Sequence, residues 1–194
     1  MIALIDYGSG NTASVANALE ELNKEYILTN REIDICRSEK VILPGVGQAS
    51  FAVRQLHRSN LFNLLRIVKK PMLGICLGMQ LMSEHSTEGN VACLGIIQGN
   101  VEKFDETKAK TPHMGWNEVF HTRESKLFSG IKNGEFFYFA HSYYLPLTEF
   151  TTGITTHEID FTAAIEKDNF FGVQFHPEKS GKAGLKLLQN FLEF

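Results

Sequence analysis

A cysteine lies between two glycines at the end of an apolar run, and this spacing suits nucleophilic chemistry. The run 71–75 leads directly to Cys76, with Gly74 two residues before it and Gly78 two residues after it. Small flanking residues permit the sharp turn of a nucleophile elbow, which projects a reactive side chain outward. A helix that begins after the cysteine would favour the thiolate and leave the Leu77 N–H free to donate to an oxyanion.

A histidine and a glutamate follow a second apolar run near the C-terminus. Residues 170–175 read as a strand, and His176, Pro177 and Glu178 come directly after it. In an extended backbone residues i and i+2 point to the same side, and proline stiffens the chain between them. A carboxylate so placed can hold the imidazole in one tautomer and stabilise the imidazolium. The sequence therefore predicts a Cys76–His176–Glu178 triad, although each residue taken alone could be structural.

A third apolar run ends in a glycine-containing loop. Residues 41–43 are followed by Pro44, Gly45, Val46 and Gly47. Glycines let backbone N–H groups approach a ligand closely, so Val46 or Gly47 is predicted to complete an oxyanion hole with Leu77. A purely structural turn is the alternative interpretation.

These three segments require a scaffold that brings strand ends together. Short apolar runs alternate with amphipathic stretches over the first ~85 residues, and β-type runs dominate from about 100 onward. This order predicts one α/β domain over residues 1–194, with a mixed, mostly parallel sheet flanked by helices and ligand sites at the carboxyl ends of its strands. The predicted strands are 2–6, 25–29, 40–43, 71–75, 101–104, 117–120, 136–139, 153–157, 162–166 and 170–175, and the predicted helices are 11–22, 48–67, a helix from 76, and 181–193.

Composition narrows the classes of partner and ligand. The net charge is −3 and lysines and arginines do not cluster, so nucleic acid is not an expected partner. No signal peptide or membrane span is recognisable, which indicates a cytoplasmic protein. The seven histidines and three cysteines lack metal-binding spacing, so neither a metal nor a cofactor is predicted. Cys36 and Cys93 lack flanking glycines and are expected to be structural thiols, a role also open to Cys76 taken alone.

Two further motifs are weaker. Residues 8–13 follow a strand and open a helix like a dinucleotide fingerprint, but the second strand ends in Thr29-Asn30 rather than in an acidic residue, so nucleotide binding is not favoured. The aromatic cluster Phe136 to Phe139 with Tyr143 and Tyr144 is expected to be core. His141 and Ser142 interrupt it, which suggests that at least one end lies at a functional edge.

Taken together, these segments resemble the class I (triad) glutamine amidotransferases, which have a flavodoxin-like fold. Within that family they resemble most closely the glutaminase subunits of imidazole glycerol phosphate synthase, and residues 112–117 (Pro-His-Met-Gly-Trp-Asn) are the most specific match. The triad motifs are shared more widely in the family. The matching stretches span nearly the whole chain: residues 6–11, 43–47, 74–80, 112–117, 138–144 and 172–180.

The resemblance implies an activity, a partner and further site residues. The activity is hydrolysis of glutamine to glutamate and ammonia, and the partner is a (β/α)₈-barrel cyclase that forms a heterodimer and receives the ammonia for histidine biosynthesis. A paralogue serving another synthase, for example in surface-sugar amidination, or a partner-independent DJ-1/PfpI-like cysteine hydrolase remains the alternative. The residues implied to hold glutamine are Gly45, Gln80, Glu88, Ser142 and Tyr143, and those implied at the synthase interface are Asn11, Trp116, Tyr138 and Lys179.

Overall fold

The computed structural model describes residues 1–8, 10–108 and 110–194. The helices are α1 Thr12–Glu21, α2 Glu32–Arg37, α3 Ala49–Arg58, α4 Leu61–Ile67, α5 Leu77–Gln80 and α6 Gly181–Glu193. The strands are β1 Ile2–Ile5, β2 Tyr26–Thr29, β3 Lys40–Leu43, β4 Met72–Ile75, β5 His85–Ser86, β6 Val91–Ala92, β7 Asn100–Lys103, β8 His113–His121, β9 Glu135–His141, β10 Tyr143–Tyr144, β11 Thr151–His157, β12 Ile159–Lys167 and β13 Phe170–Val173. Two 3₁₀ turns cover Lys126–Phe128 and Pro177–Lys179.

A nine-stranded mixed sheet forms the centre of the domain, in the order β2-β1-β3-β4-β13-β12-β11-β8-β9. The pairings from β2 through to β13 are parallel, and those from β13 to β9 are antiparallel. The prediction of a mixed α/β sheet is confirmed, and within the described nine-stranded sheet four pairings are parallel and four are antiparallel. The C-terminal β-rich half explains this, because its consecutive strands join through short antiparallel connections.

Both faces of the inner parallel strands β1, β3, β4 and β13 are buried. Along β1 the side chains alternate, so Ala3 and Ile5 pack into one hydrophobic cluster and Ile2 and Leu4 into the other. Strands covered on both faces read as continuous apolar runs, which is why these strands were predicted closely from sequence.

The register of three neighbouring strands positions the predicted site. Leu43 of β3 pairs with Gly74 of β4, and Val173 of β13 pairs with Ile75 of β4. Because these strands are parallel and in step, their carboxyl ends meet at one edge of the sheet. A second sheet, ordered β10-β7-β5-β6, lies beside this edge and brings Tyr143 to it.

Several predicted elements differ in extent. The predicted helix 48–67 is two helices, because Asn60 adopts a left-handed conformation with φ 59° and interrupts it. Helix α2 was not predicted, since six residues carry too little periodicity to be recognised. Strand β8 begins at His113 rather than at 117. Its polar side chains can be buried because His113 is hydrogen-bonded to His141 and to Asn117. Among the described residues no helix combines the length and apolarity needed to cross a bilayer.

Candidate active site

Cys76 occupies a strained turn between β4 and α5. Its backbone has φ 53° and ψ −110°, a region that non-glycine residues rarely adopt. The Cys76 N–H donates to the Val173 carbonyl at 2.8 Å, which ties the turn to β13. The neighbouring strand therefore holds the backbone in this strained conformation, and the turn points the thiol outward at the edge of the sheet.

The two flanking glycines are required by close packing and not by their own backbone angles. A Cβ on Gly78 would overlap the Leu43 carbonyl oxygen, and one on Gly74 would lie 2.6 Å from the Gly78 carbonyl oxygen. Neither glycine has a positive φ. Any side chain at these positions would push α5 away from the strands and displace the thiol.

His176 and Glu178 lie at the same edge as Cys76. The His176 Nδ1 is 2.8 Å from a Glu178 carboxylate oxygen, and both side chains are almost fully buried, with 4% and 1% exposed. The His176 backbone N–H donates to the Tyr138 carbonyl at 2.8 Å, which fixes the histidine against β9. The second Glu178 carboxylate oxygen is buried without a hydrogen-bond partner among the described residues. The carboxylate is therefore committed to the imidazole.

Electrostatics around His176 favour the imidazolium. Burial by itself lowers the pKa of His176, but hydrogen bonds to the Cys76 side chain and to Glu178, together with their negative charges, raise it to about 10. Glu178 accepts a hydrogen bond from Nδ1–H, which leaves Nε2 for the Cys76 side chain, as the base or, when protonated, as the acid. His176 is therefore held between the Cys76 side chain and a buried carboxylate.

The oxyanion loop differs from the sequence expectation. We expected the Leu77 N–H to be free, but it donates to the Gly45 carbonyl oxygen at 3.3 Å. Gly45 is tightly enclosed, because a Cβ there would lie 2.7 Å from the Gly78 nitrogen and 2.9 Å from the Tyr7 hydroxyl. Gly47 has φ +96°, which glycine adopts without strain. In this conformation the loop blocks the donor that an oxyanion would use.

A cavity of about 240 Å³ opens in front of Cys76. Predicted oxyanion and substrate residues lie together in its wall, along with the Ala140–Tyr143 segment. Those of the predicted set that line it are Val46, Gly47, Leu77, Gln80, Glu88, Ser142 and Tyr143. Gly45 lies just beneath, where it contacts Leu77. A larger cavity of about 840 Å³, around His121 and Phe128, contains none of the predicted site residues.

Two of the predicted substrate residues are already engaged. The Gln80 side-chain amide donates to the Tyr143 carbonyl at 2.7 Å. A Glu88 carboxylate oxygen accepts from the Ala49 N–H at 2.8 Å, and burial raises the pKa of Glu88 although that N–H opposes the rise. These contacts hold both side chains in place before any ligand arrives.

The predicted interface residues surround the same edge. Trp116 and Tyr138 are paired across β8 and β9, with their rings 6.1 Å apart and nearly perpendicular, and 56% of Trp116 is exposed. Lys179 is exposed in the 3₁₀ turn after His176, and Asn11 caps α1 by accepting from the Ser14 N–H. Ser9, within the first matching stretch, lies outside the described residues.

Sequence reasoning missed a buried polar cluster behind the cavity. His113 and His141 are hydrogen-bonded to each other at 3.0 Å, and His157 stacks on His113 at 4.2 Å. Gln174, also buried, contacts the Cys76 sulfur. Gln174 precedes His176 by two residues, just as Glu178 follows it by two. The same i, i+2 argument could therefore have predicted that Gln174 lies on the side of the strand that carries His176.

Comparison with known proteins adds to this geometry. The family model described as "Glutamine amidotransferase class-I" matches residues 3–194. The chain belongs to this family.

Similar relatives within the glutamine amidotransferase family carry a common description. Proteins described as "Imidazole glycerol phosphate synthase subunit HisH" are 46% identical in Bacteroides fragilis over 194 residues, covering 99% of this chain and 98% of the relative. The protein so described from Escherichia coli is 44% identical over 193 residues, with the same coverage of both chains. The chain therefore aligns with such relatives along almost its whole length.

Solved structures show the same fold at low identity. A putative GMP synthase protein from Thermoplasma acidophilum superposes with a TM-score of 0.76 at 19% identity, covering 98% of this chain and 91% of that one. PurLQS from Thermotoga maritima superposes with a TM-score of 0.70 at 19% identity, covering 98% and 96%. The glutamine amidotransferase fold is thus retained across distant sequences.

Proposed function

We propose that this chain is the glutaminase subunit of an imidazole glycerol phosphate synthase and acts in the cytoplasm. The observation that carries the proposal is the meeting of Cys76, His176 and Glu178 at one strand edge beside a cavity. The full-length similarity to proteins described as HisH supports the choice of synthase. The reaction releases ammonia from glutamine and leaves glutamate.

The chemistry proceeds in two stages. The Cys76 thiolate attacks the carboxamide carbon of glutamine, and His176 transfers its proton to the departing nitrogen, so that ammonia leaves and a γ-glutamyl thioester remains. Water then attacks the thioester, with His176 accepting the proton, and glutamate leaves as the thiol reforms. Glu178 accepts a hydrogen bond from Nδ1 in both stages and stabilises each imidazolium.

The substrate would occupy the 240 Å³ cavity. We assign Gln80, Ser142 and Tyr143, with the backbone at Gly45, to holding the substrate, and Glu88 to facing its α-amino group. A carboxylate is the appropriate partner for an ammonium group, and Glu88 lines the same cavity as Cys76. With the α-amino group at Glu88, the carboxamide at the other end of glutamine would face the thiol.

The oxyanion hole requires a rearrangement of the loop. The Gly45 carbonyl must leave the Leu77 N–H before that N–H can donate to a substrate oxyanion, and Val46 or Gly47 supplies the second donor. Loss of one such donor typically costs about 10²–10³ in rate. A chain with this loop conformation is therefore expected to hydrolyse glutamine slowly, and reorientation of a peptide between Pro44 and Gly47 is the proposed switch to the active form.

The partner is a (β/α)₈-barrel cyclase that docks over the site. Ammonia becomes protonated in bulk water and loses its nucleophilicity, so it must pass to the partner along an enclosed path. We assign Asn11, Trp116, Tyr138 and Lys179 to the docking surface. Exposed apolar area around Trp116, including Met114 at 64% exposed, supports a protein contact there.

The test is a substitution in the reconstituted pair. With Cys76→Ala, glutamine-dependent synthesis of imidazole glycerol phosphate is expected to vanish while ammonia-dependent synthesis continues. Cys36→Ala is the matched control, because Cys36 is an exposed thiol away from the cavity, and it is expected to retain both activities. Retention of glutamine-dependent synthesis in Cys76→Ala would refute the proposal, and loss of both activities would indicate a structural role for the thiol.

A further inference from the structure

Gln174 occupies a buried position between the nucleophile and Gln80. It follows β13 and precedes His176 by two residues, and its exposed fraction is 0%. The side-chain nitrogen lies 3.6 Å from the Cys76 sulfur, and the side-chain oxygen accepts from the Gln80 amide at 2.9 Å. The residue therefore links the thiol to a residue we assign to substrate binding.

The surrounding hydrogen bonds determine which end of the Gln174 amide faces the sulfur. The Gln80 nitrogen contacts both the Tyr143 carbonyl at 2.7 Å and the Gln174 side chain, so it must be the donor in both bonds. His141 also donates to the Tyr143 carbonyl from Nδ1 at 2.7 Å, and its Nε2 consequently accepts from His113. With the Gln174 oxygen committed to Gln80, its NH₂ group is left facing Cys76.

The two protonation states of the sulfur have different partners. A thiol can donate weakly to the Ala140 carbonyl, whose oxygen is 4.0 Å away. A thiolate can only accept, and Cys76 is just 5% exposed, so water offers it little stabilisation. The helix after it, α5, is four residues long and contributes few aligned dipoles, and the Leu77 N–H donates to Gly45. A neutral donor from Gln174 is thus well placed to stabilise the charged form.

We propose that Gln174 is a positioning residue for the nucleophile, whose side-chain N–H donates to the Cys76 sulfur and holds the thiolate at the cavity. The inference rests on the proposed function, in which that thiolate attacks glutamine. The role differs from that of His176, which exchanges the proton with the sulfur and pairs with it as a cation: Gln174 adds a neutral donor whose protonation does not change during the reaction. The Gln80 bond makes this donor rigid and couples it to the wall of the substrate cavity.

The test measures how readily the thiolate forms. Alkylation of Cys76 by iodoacetamide is followed across a pH series, with mass spectrometry of the modified peptide separating Cys76 from the other thiols. Gln174→Met removes the donor and keeps the volume, while Gln174→Glu keeps the acceptor for Gln80 and replaces the N–H with an oxygen. Gln98→Glu makes the same chemical change at an exposed position and serves as the control.

Removing one hydrogen bond to a charged group is expected to reduce the thiolate population about tenfold at pH values below the midpoint of the alkylation profile. The midpoint is therefore expected about one pH unit higher in Gln174→Met and higher still in Gln174→Glu, whose carboxylate repels the thiolate. The Gln98→Glu control is expected to keep the wild-type profile. A wild-type midpoint in Gln174→Glu, with a shifted one in Gln174→Met, would show that Gln174 acts only by holding Gln80, and an unchanged midpoint in both would also overturn the proposal.

A measurement on the unsubstituted side chain keeps the test independent of folding in the variants. The ¹⁵N and ¹H shifts of the Gln174 side-chain amide are expected to titrate with the same midpoint as alkylation of Cys76, and the titration is expected to be absent in Cys76→Ala. Shifts that do not follow the sulfur would refute the proposed hydrogen bond. Neither readout requires glutamine turnover, so failure of the proposed function would be seen separately, as glutamine-dependent synthesis that survives Cys76→Ala.

Discussion

Acidification is expected to destabilise this protein through two buried histidines. Desolvation lowers the pKa of His113 to about 4, with the nearby His157 adding to the effect, and lowers that of His141 to about 3 against the Tyr143 carbonyl that opposes the shift. In the unfolded chain each imidazole titrates near its ordinary value of 6.5. Between these values the unfolded state binds more protons, so the free energy of unfolding falls as the pH falls below 6.5.

The size of the effect follows from the linkage relation. Each histidine contributes a slope of up to about 1.4 kcal/mol per pH unit, so acidification from pH 7 to pH 5 is expected to cost about 2 kcal/mol for each, or about 4 kcal/mol together. That is a large part of the ~5–15 kcal/mol that stabilises a typical domain. Burial also lowers the pKa of His121, which acts in the same direction. The raised pKa of His176 acts in a different window, where stability is lost as the pH rises toward about 10.

Urea unfolding followed by circular dichroism at pH 7, 6 and 5 measures the slope. His141→Gln is expected to lower stability at pH 7 but to flatten the pH dependence by roughly half, since one titrating group is removed. His57→Gln is the matched control, because His57 is exposed on α3 and has no part in the cluster. This control is expected to keep the wild-type slope.

Two outcomes would refute this reasoning. A wild-type free energy of unfolding that stays constant between pH 7 and pH 5 would mean that the two imidazoles do not remain neutral in the folded protein. An unchanged slope in His141→Gln would assign the pH dependence to other groups.

Two further expectations concern the proposed complex with the cyclase. Glu178→Gln removes the charge that stabilises the imidazolium. The kcat for glutamine hydrolysis, measured by glutamate release, is therefore expected to fall roughly 10- to 100-fold with little change in KM. An unaltered kcat would contradict the role assigned to Glu178. Trp116→Ala is expected to weaken binding of the cyclase about tenfold or more by calorimetry, without altering alkylation of Cys76 in the isolated chain. Leu28→Ala, exposed on the distant edge strand β2, is its control, and equal affinities for the two variants would exclude Trp116 from the interface.

Local patterns determined much of the scaffold. The alternation of short apolar runs with amphipathic stretches predicted β1 to β4 and the helices between them, except that α2 was missed and α3 and α4 were predicted as one helix. These elements can be predicted from sequence because each has a regular local pattern of apolar residues. Whether the C-terminal strands pair parallel or antiparallel was harder to predict from sequence, because it depends on which strands become neighbours after folding.

The sequence by itself also predicted the residues proposed to react, because their spacing has a direct physical meaning. Glycines two residues to either side of Cys76 mark a turn that only close packing tolerates, and His176 and Glu178 share a side because of the i, i+2 geometry of extended backbone. These features need no knowledge of distant contacts.

Tertiary structure alone decided the state of the site. Three hydrogen bonds define this state, and each joins residues 28 to 98 positions apart in the sequence. They are the Leu77 N–H to the Gly45 carbonyl, the Gln174 amide to the Cys76 sulfur, and the bond between His113 and His141. Such bonds depend on the register of β3, β4, β8, β9 and β13, which places particular atoms within about 3–4 Å of each other. A sequence contains the donors and acceptors, but only the folded chain selects which of them meet.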